Sequence, residues 1–236
     1  MPIMKYNNRG RESASRKAAV TVDRITNTCV SVIRLVMGMI GNNVYVVDDG
    51  EGCLVIDPSC DEGEILTALE GRRLDAIVLT HGHGDHVGAA ATLREATGAP
   101  VIASAKERPY VEGSRTYDVF ADVDPCPVDR IVGDGDILEF GNVKLQVIAT
   151  PGHTPGGISL YVAPTDDRPG APVLFSGDTL FAGTHGRVDL AGGDIDAMRD
   201  SLVRLSYLPP ETVVMPGHNA LTTIARELGW LKICRL

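Results

Sequence analysis

From about residue 29 onward the chain alternates short apolar runs with turns rich in glycine, proline and aspartate, and helical periodicity fills several of the gaps between runs. In the first half this pattern predicts strands over residues 29–36, 43–47, 53–56 and 76–80. It also predicts a helix over 61–70 with Asp61 as N-cap, and a second over 87–97 closed by Gly98 with Pro100 beyond. The second half repeats the habit. A hairpin of 137–140 and 143–150 turns at Gly141-Asn142, further strands cover 158–162, 173–175 and 212–215, and a helix covers 195–205. Strands alternating with helices indicate an α/β fold, and no internal repeat is visible.

Four of the apolar runs end in a residue type that binds metals. Leu79-Thr80 leads into His81, Ala149-Thr150-Pro151-Gly152 into His153, Phe175-Ser176-Gly177 into Asp178, and Met215-Pro216-Gly217 into His218. One edge of the sheets then offers all of these side chains to a single pocket, with glycine before a ligand allowing the backbone to turn sharply. The densest group is the run His81-Gly82-His83-Gly84-Asp85-His86, released where a buried strand ends. Three histidines within six surface positions add nothing to packing and repel one another when protonated, whereas neutral imidazole and carboxylate suit divalent ions of intermediate hardness. Taken singly, His153 and His218 read as ordinary hydrogen-bonded histidines and Asp178 as a turn residue; together with the run they read as ligands.

Composition narrows the setting. The 236 residues, 44% hydrophobic and 22% charged, suit one domain with a full core, placed at 25–236. Residues 1–24, with Lys5, Arg9, Arg11, Arg16, Lys17 and Arg24 against Glu12 and Asp23, read as a basic and poorly packed arm. A net charge of −9 gives no long-range attraction for nucleic acid or an anionic membrane, so the expected partner is a small molecule held locally. No apolar run is long enough to span a bilayer and no signal-peptide core precedes the domain, which places the chain in the cytoplasm; its oligomeric state, monomer or homodimer, stays open. Five scattered cysteines without C-x-x-C spacing read as reduced thiols.

The motifs Thr80-His-Gly-His-Gly-Asp-His86, Thr150-Pro-Gly-His-Thr-Pro-Gly156, Ser176-Gly-Asp-Thr-Leu-Phe181, Gly186-Arg-Val-Asp-Leu190 with Gly192-Gly-Asp194, and Met215-Pro-Gly-His218 occur here in that order. In this combination the chain resembles the metallo-β-lactamase superfamily and, within it, the glyoxalase II-like hydrolases. The resemblance implies a four-layer αββα sandwich with a dinuclear site along one edge. It implies that His81, His83 and His153 hold one ion, that Asp85, His86 and His218 hold the other, and that Asp178 bridges both. Glyoxalase II enzymes carry a C-terminal helical domain that supplies much of their glutathione site; here 18 residues follow His218, and the chain is more similar to the short single-domain members.

The expected cofactors are two divalent ions, zinc first, with iron and manganese compatible with the same ligands. Two such ions lower the pKa of a shared water from 15.7 to about 7, so the expected reaction is hydrolysis of a small thioester, related to hydroxyacylglutathione, or of a related ester. Asp85 is the expected catalytic orienting group. A thiolate, with a conjugate-acid pKa of about 8.5, departs without the proton an amine needs, which favours thioester over amide. The alternatives are a mononuclear iron persulfide dioxygenase and a lactonase on the same fold. Arg187 reads as an anion contact or as the ion-pair partner of Asp189, and His185 as a substrate contact or a plain loop residue. Residues 104–127 read as a pocket wall or a surface connection, and Asp57, Thr80, Thr150 and Ser176 as hydrogen-bond partners of ligands or of strand ends.

Overall fold

A computed structural model describes residues 20–48, 50–117 and 123–235. Seven strands form the first sheet in sequence order: β1 (Thr21–Ile25), β2 (Ser31–Met37), β3 (Asn42–Asp48), β4 (Cys53–Ile56), β5 (Leu74–Val78), β6 (Val101–Ser104) and β7 (Arg130–Val132). The first four pair antiparallel through short turns, and the last four pair parallel. Parallel pairing needs crossovers. These carry α1 (Glu62–Ala68), the single turn α2 (Gly84–Val87), α3 (Ala90–Thr97) and the short α4 (Arg108–Val111). The second sheet uses β8 (Ile137–Phe140), β9 (Val143–Ala149), β10 (Ile158–Val162) and β11 (Val173–Gly177). A small hairpin of β12 (Leu180–Phe181) and β13 (Thr184–His185) follows, then α5 (Ile195–Leu205), β14 (Val213–Pro216), β15 (Thr222–Thr223) and α6 (Ile224–Leu231). The sheet order is β15-β14-β11-β10-β9-β8.

Alternation along the strands makes the layers. In β3, Val44 and Val46 face Ile65 of α1 and Leu93 of α3, while Tyr45 and Val47 face the second sheet. Between the sheets, Tyr45, Leu54, Ile56 and Val78 pack on Leu145, Leu160, Phe175 and Met215, with the Tyr45 and Phe175 rings edge to face at 5.2 Å. Outside the second sheet, Ile148, Leu174 and Val214 bury Met198, Leu202 and Leu205 of α5 with Ile224 and Leu231 of α6. The architecture is the expected αββα sandwich, and both of its outer helical layers rest on fully buried aliphatic faces.

Several expectations shift in detail. Asp61 does precede α1, but it adopts φ 52° and its side chain caps no N–H. The predicted helix over 87–97 is split into α2 and α3 at Ala89, which leaves helical geometry at φ −102° and donates its N–H to the Pro58 carbonyl at 2.9 Å. Gly98 closes α3 at φ 73°, with its N–H on the Arg94 carbonyl. Residues 21–24 of the predicted arm form the edge strand β1, paired with β2 from Thr21↔Val36 to Ile25↔Val32; residues 1–19 lie outside the described part. No helix among the described residues is long and apolar enough to cross a membrane.

Candidate metal centre

The site forms where β5, β9, β11 and β14 end at one edge of the sandwich. Two glycines show how tightly the backbone must approach. Gly152, at φ 139°, lies against the backbone of Met198 at the start of α5, whose N-cap Asp194 donates its own N–H to the Gly152 carbonyl over 2.8 Å. Gly217 lies so near Asp178 Oδ1 and His86 Cε1 that a Cβ would overlap both. A Cβ at either position would force these neighbours to shift.

All seven residues predicted as ligands converge. His81, His83 and His153 each offer a nitrogen within 4.8 Å of the others, and so do the ligand atoms of Asp85, His86 and His218. Asp178 lies between the groups, 3.4 Å from His86 Nε2 and 3.5 Å from both His153 Nε2 and His218 Nε2. Asp57, His81 and His86 make a third such group, but the role of Asp57 is set by its hydrogen bonds. The Thr80 hydroxyl donates to Asp57 Oδ2 at 2.6 Å and so must accept from His81 Nδ1 at 3.0 Å. His86 Nδ1 donates to the same carboxylate at 3.0 Å, and His153 Nδ1 donates to the Arg187 carbonyl at 2.7 Å. In each of these three rings Nδ1 is engaged by its partner, so Nε2 is the nitrogen that points to the centre.

These inward atoms are short of partners. Nε2 of His81, His83 and His153 and Oδ1 of Asp178 are buried with no hydrogen-bond donor. His86 Nε2 and His218 Nε2 share a hydrogen bond at 3.2 Å, with Asp85 Oδ2 3.3 Å from the latter. Buried acceptors without donors, such as the four above, are costly, and a cation removes that cost. The donor set therefore fits divalent metal.

The electrostatics differ across the site. Burial, then the neighbouring histidines, holds His81 well below the ordinary histidine value and His83 down to about 4. Burial also acts to lower His86, but Asp178 and Asp57 reverse it and hold that ring well above its ordinary value. Asp85 and Asp178 resist burial in the opposite sense. Hydrogen bonding to His218 and the charge of His86, with Asn42 donating at 2.9 Å, keep Asp85 ionised, and His86 does the same for Asp178.

A pocket of about 390 Å³ opens over this group, lined by His83, Asp85, His153, Asp178 and His218, by the apolar Ile40, Phe181 and Leu190, and by Arg187. Arg187 makes a two-pronged ion pair with Asp189 at 2.8–2.9 Å, both side chains about two-thirds exposed, so the internal pair is the contact present. His185 does not line the pocket: its Nδ1 donates to the Gly186 carbonyl at 2.7 Å, and its ring lies 6.5 Å from Trp230. Nor do Tyr110 and Tyr117 from the predicted wall, which stack at 3.7 Å behind the ligand loop; residues 118–122 of that stretch lie outside the described part. Thr150 and Ser176 bond Ser159 and the Leu180 carbonyl, which is strand-end chemistry. Glu107 carried no sequence signal, yet it is fully buried against the ligand loop.

Comparison with known proteins agrees with the geometry. The family model for the metallo-β-lactamase superfamily matches residues 37–218. A probable metallo-hydrolase of Bacillus subtilis, YqgX, is 34% identical over 206 residues, covering 82% of this chain and 92% of its own. A hydroxyacylglutathione hydrolase of Albidiferax ferrireducens is 39% identical over 180 residues, covering 75% of this chain and 62% of that longer enzyme. Among solved structures, the B3 metallo-β-lactamase BLEG-1 superposes with a TM-score of 0.74 at 33% identity, covering 84% of this chain and 98% of its own. TTHA1623 in a di-iron-bound form gives 0.68 at 37%, covering 81% and 94%.

Proposed function

The chain belongs to the metallo-β-lactamase superfamily, and from that premise we propose that it is a metal-dependent hydrolase of small acyl-thioesters. His81, His83 and His153 would hold one divalent ion and Asp85, His86 and His218 the other, with Asp178 placed between the two groups. The observation that carries the reading is three buried imidazole nitrogens and an Asp178 oxygen without hydrogen-bond partners, set beside the Asp85, His86 and His218 group at the floor of an open pocket. When bound, such ions supply Lewis acidity and a water of lowered pKa.

The chain's own residues supply the rest. Asp85 stays ionised, so it orients a water by accepting its hydrogen bond and does not store the proton. Ile40, Phe181 and Leu190 make an apolar wall that takes an acyl chain and excludes bulk solvent. Arg187 stands at the rim, and because exposed ion pairs contribute only about 0–1 kcal/mol, an anionic substrate can exchange with Asp189 at little cost. Apart from the proposed ligands, Arg187 is the only titratable side chain among the described residues lining the pocket. No separate acid stands ready to protonate a departing amine, which favours a thiolate leaving group with a conjugate-acid pKa of about 8.5.

Zinc is the proposed metal. Iron is the second reading, supported by the di-iron form of TTHA1623. The five cysteines are all free, which supports a cytoplasmic setting. The test is a panel of acyl-thioesters, with homoserine lactones and glutathione persulfide beside it, given to protein reloaded with zinc or iron while thiol release and oxygen uptake are followed. Thioester cleavage that a chelator abolishes is expected. Two bound ions with every thioester intact, or oxygen uptake on a persulfide with one iron per chain, would overturn the assignment.

A further inference from the structure

Two loops deliver the three-histidine cluster, and both are tied to one carboxylate. Glu107, just before α4, is fully buried. Its Oε2 accepts from the Gly82 N–H at 2.8 Å, and its Oε1 accepts from the Gly156 N–H at 2.8 Å. The Tyr117 hydroxyl donates to the same carboxylate at 2.9 and 3.1 Å. Gly82 separates His81 from His83, and Gly156 stands three residues after His153. Every partner is a donor, so the ionised form is the one the surroundings match.

The fit leaves no slack. A Cβ on Gly82 would lie 3.1 Å from Glu107 Oε2 and 2.9 Å from Tyr110 Cβ, and one on Gly156 would lie 2.7 Å from Glu107 Oε1. Tyr117 carries the contact forward, its ring meeting the His83 imidazole edge-on at 4.7 Å. His83 in turn packs on His153 at 4.6 Å. Glu107 makes none of the contacts that hold the other ligand set, although Asp57 reaches His81 through Thr80 as well as His86. Asp57 orients His86, Asn42 holds Asp85, and Asn43 and Tyr45 both donate to the Pro216 carbonyl ahead of His218, at 2.8 and 2.6 Å.

We infer that Glu107 is a positioning residue for one half of the metal centre: it bolts the His81-Gly82-His83 loop to the loop after His153 and so sets the geometry of that ion's ligands alone. A carboxylate that merely stabilised the fold would not distinguish the two halves. The inference rests on the ligand assignment proposed above, and the test separates the two.

The test is a Co²⁺ titration of the full chain, followed by visible absorption and by metal stoichiometry, for wild type, Glu107→Gln, Tyr117→Phe and two reference variants, His83→Ala and His218→Ala. Glutamine keeps the volume but turns an NH₂ toward a backbone N–H, so one of the two bridges is lost. Loss of such outer partners typically costs 10–100-fold in metal affinity. Glu107→Gln is expected to bind one ion as wild type does and the other 10–100-fold more weakly, with a half-loaded spectrum matching that of His83→Ala. Tyr117→Phe is expected to weaken the same ion by less than tenfold. A folded Glu107→Gln that holds both ions normally, weakens both equally, or resembles His218→Ala overturns the inference. Should Glu107→Gln not fold, Tyr117→Phe decides: selective weakening supports the role, and wild-type binding of both ions removes it. Wild-type protein that takes up fewer than two ions overturns the ligand assignment and, with it, this inference.

Discussion

The two halves of the proposed metal centre lie side by side yet are built on opposite electrostatic terms. The half made by His81, His83 and His153 is all imidazole and buried, with three inward nitrogens lacking donors, and burial holds His81 and His83 neutral. The half made by Asp85, His86 and His218 carries an ionised carboxylate, and its His86 binds a proton more tightly than an ordinary histidine. Neutral ligands gain from an incoming cation because nothing else satisfies them. Charged ligands gain because a cation replaces a proton. Asp178 belongs to both, and its 3.4–3.5 Å approaches to His86, His153 and His218 make it the element through which the halves depend on each other.

The largest break in that comparison comes from Asp178 itself. Asp178→Asn removes the shared negative charge while keeping the shape, so both halves are expected to lose affinity together. Thioesterase kcat/KM is expected to fall about 10³-fold, roughly 4 kcal/mol in the barrier, with fewer than two metal ions per chain by plasma mass spectrometry. Wild-type stoichiometry and rate in this variant would mean the halves are independent.

A smaller effect, with opposite signs in the two halves, appears in the stability of the metal-free protein. His83 has an unfolded-state pKa near 6.5 and a folded value of about 4, so between these pH values the unfolded chain binds more protons and stability falls as the solution is acidified. His86 is raised, so its contribution is complete below its ordinary value and is lost as pH rises through the elevated one. Denaturant unfolding across pH is expected to show both limbs. His83→Gln should flatten the acid limb and His86→Gln the alkaline one. If both variants flattened the same limb, the electrostatic contrast would be wrong.

The smallest effect is expected outside both halves. Arg187→Ala should raise KM for an anionic thioester severalfold while leaving kcat within about twofold and stability nearly unchanged, because its pair with Asp189 is exposed. A neutral thioester should show no change in KM. Equal losses for charged and neutral substrates would remove Arg187 from substrate recognition.

How much of this was legible in the chain depends on how local each signal is. The strands over 53–56 and 158–162 and the helix over 195–205 were readable to the residue, because each is bounded by its own turn chemistry and, in α5, by an Asp194 side chain accepting from two N–H groups. The seven clustered side chains were readable because ligand type and strand end coincide. The short parallel strands β6 and β7 were not, since three or four residues carry no period and pair only once the crossovers have folded. The helix α6 was also missed, although Thr223 at its N-cap with Ile224, Leu228 and Leu231 on one side was a usable signal. Glu107 had none. Within Ser104-Ala-Lys-Glu-Arg108 it reads as one more solvated charge, and its burial is set by backbone donors from two distant loops.

Anomalous diffraction at the metal absorption edges, on crystals of zinc- or iron-loaded protein, tests the central claim most directly. The account predicts two peaks, one among His81, His83 and His153 and one among Asp85, His86 and His218, with Asp178 in contact with both. A single peak, or ions bound away from these side chains, would contradict it.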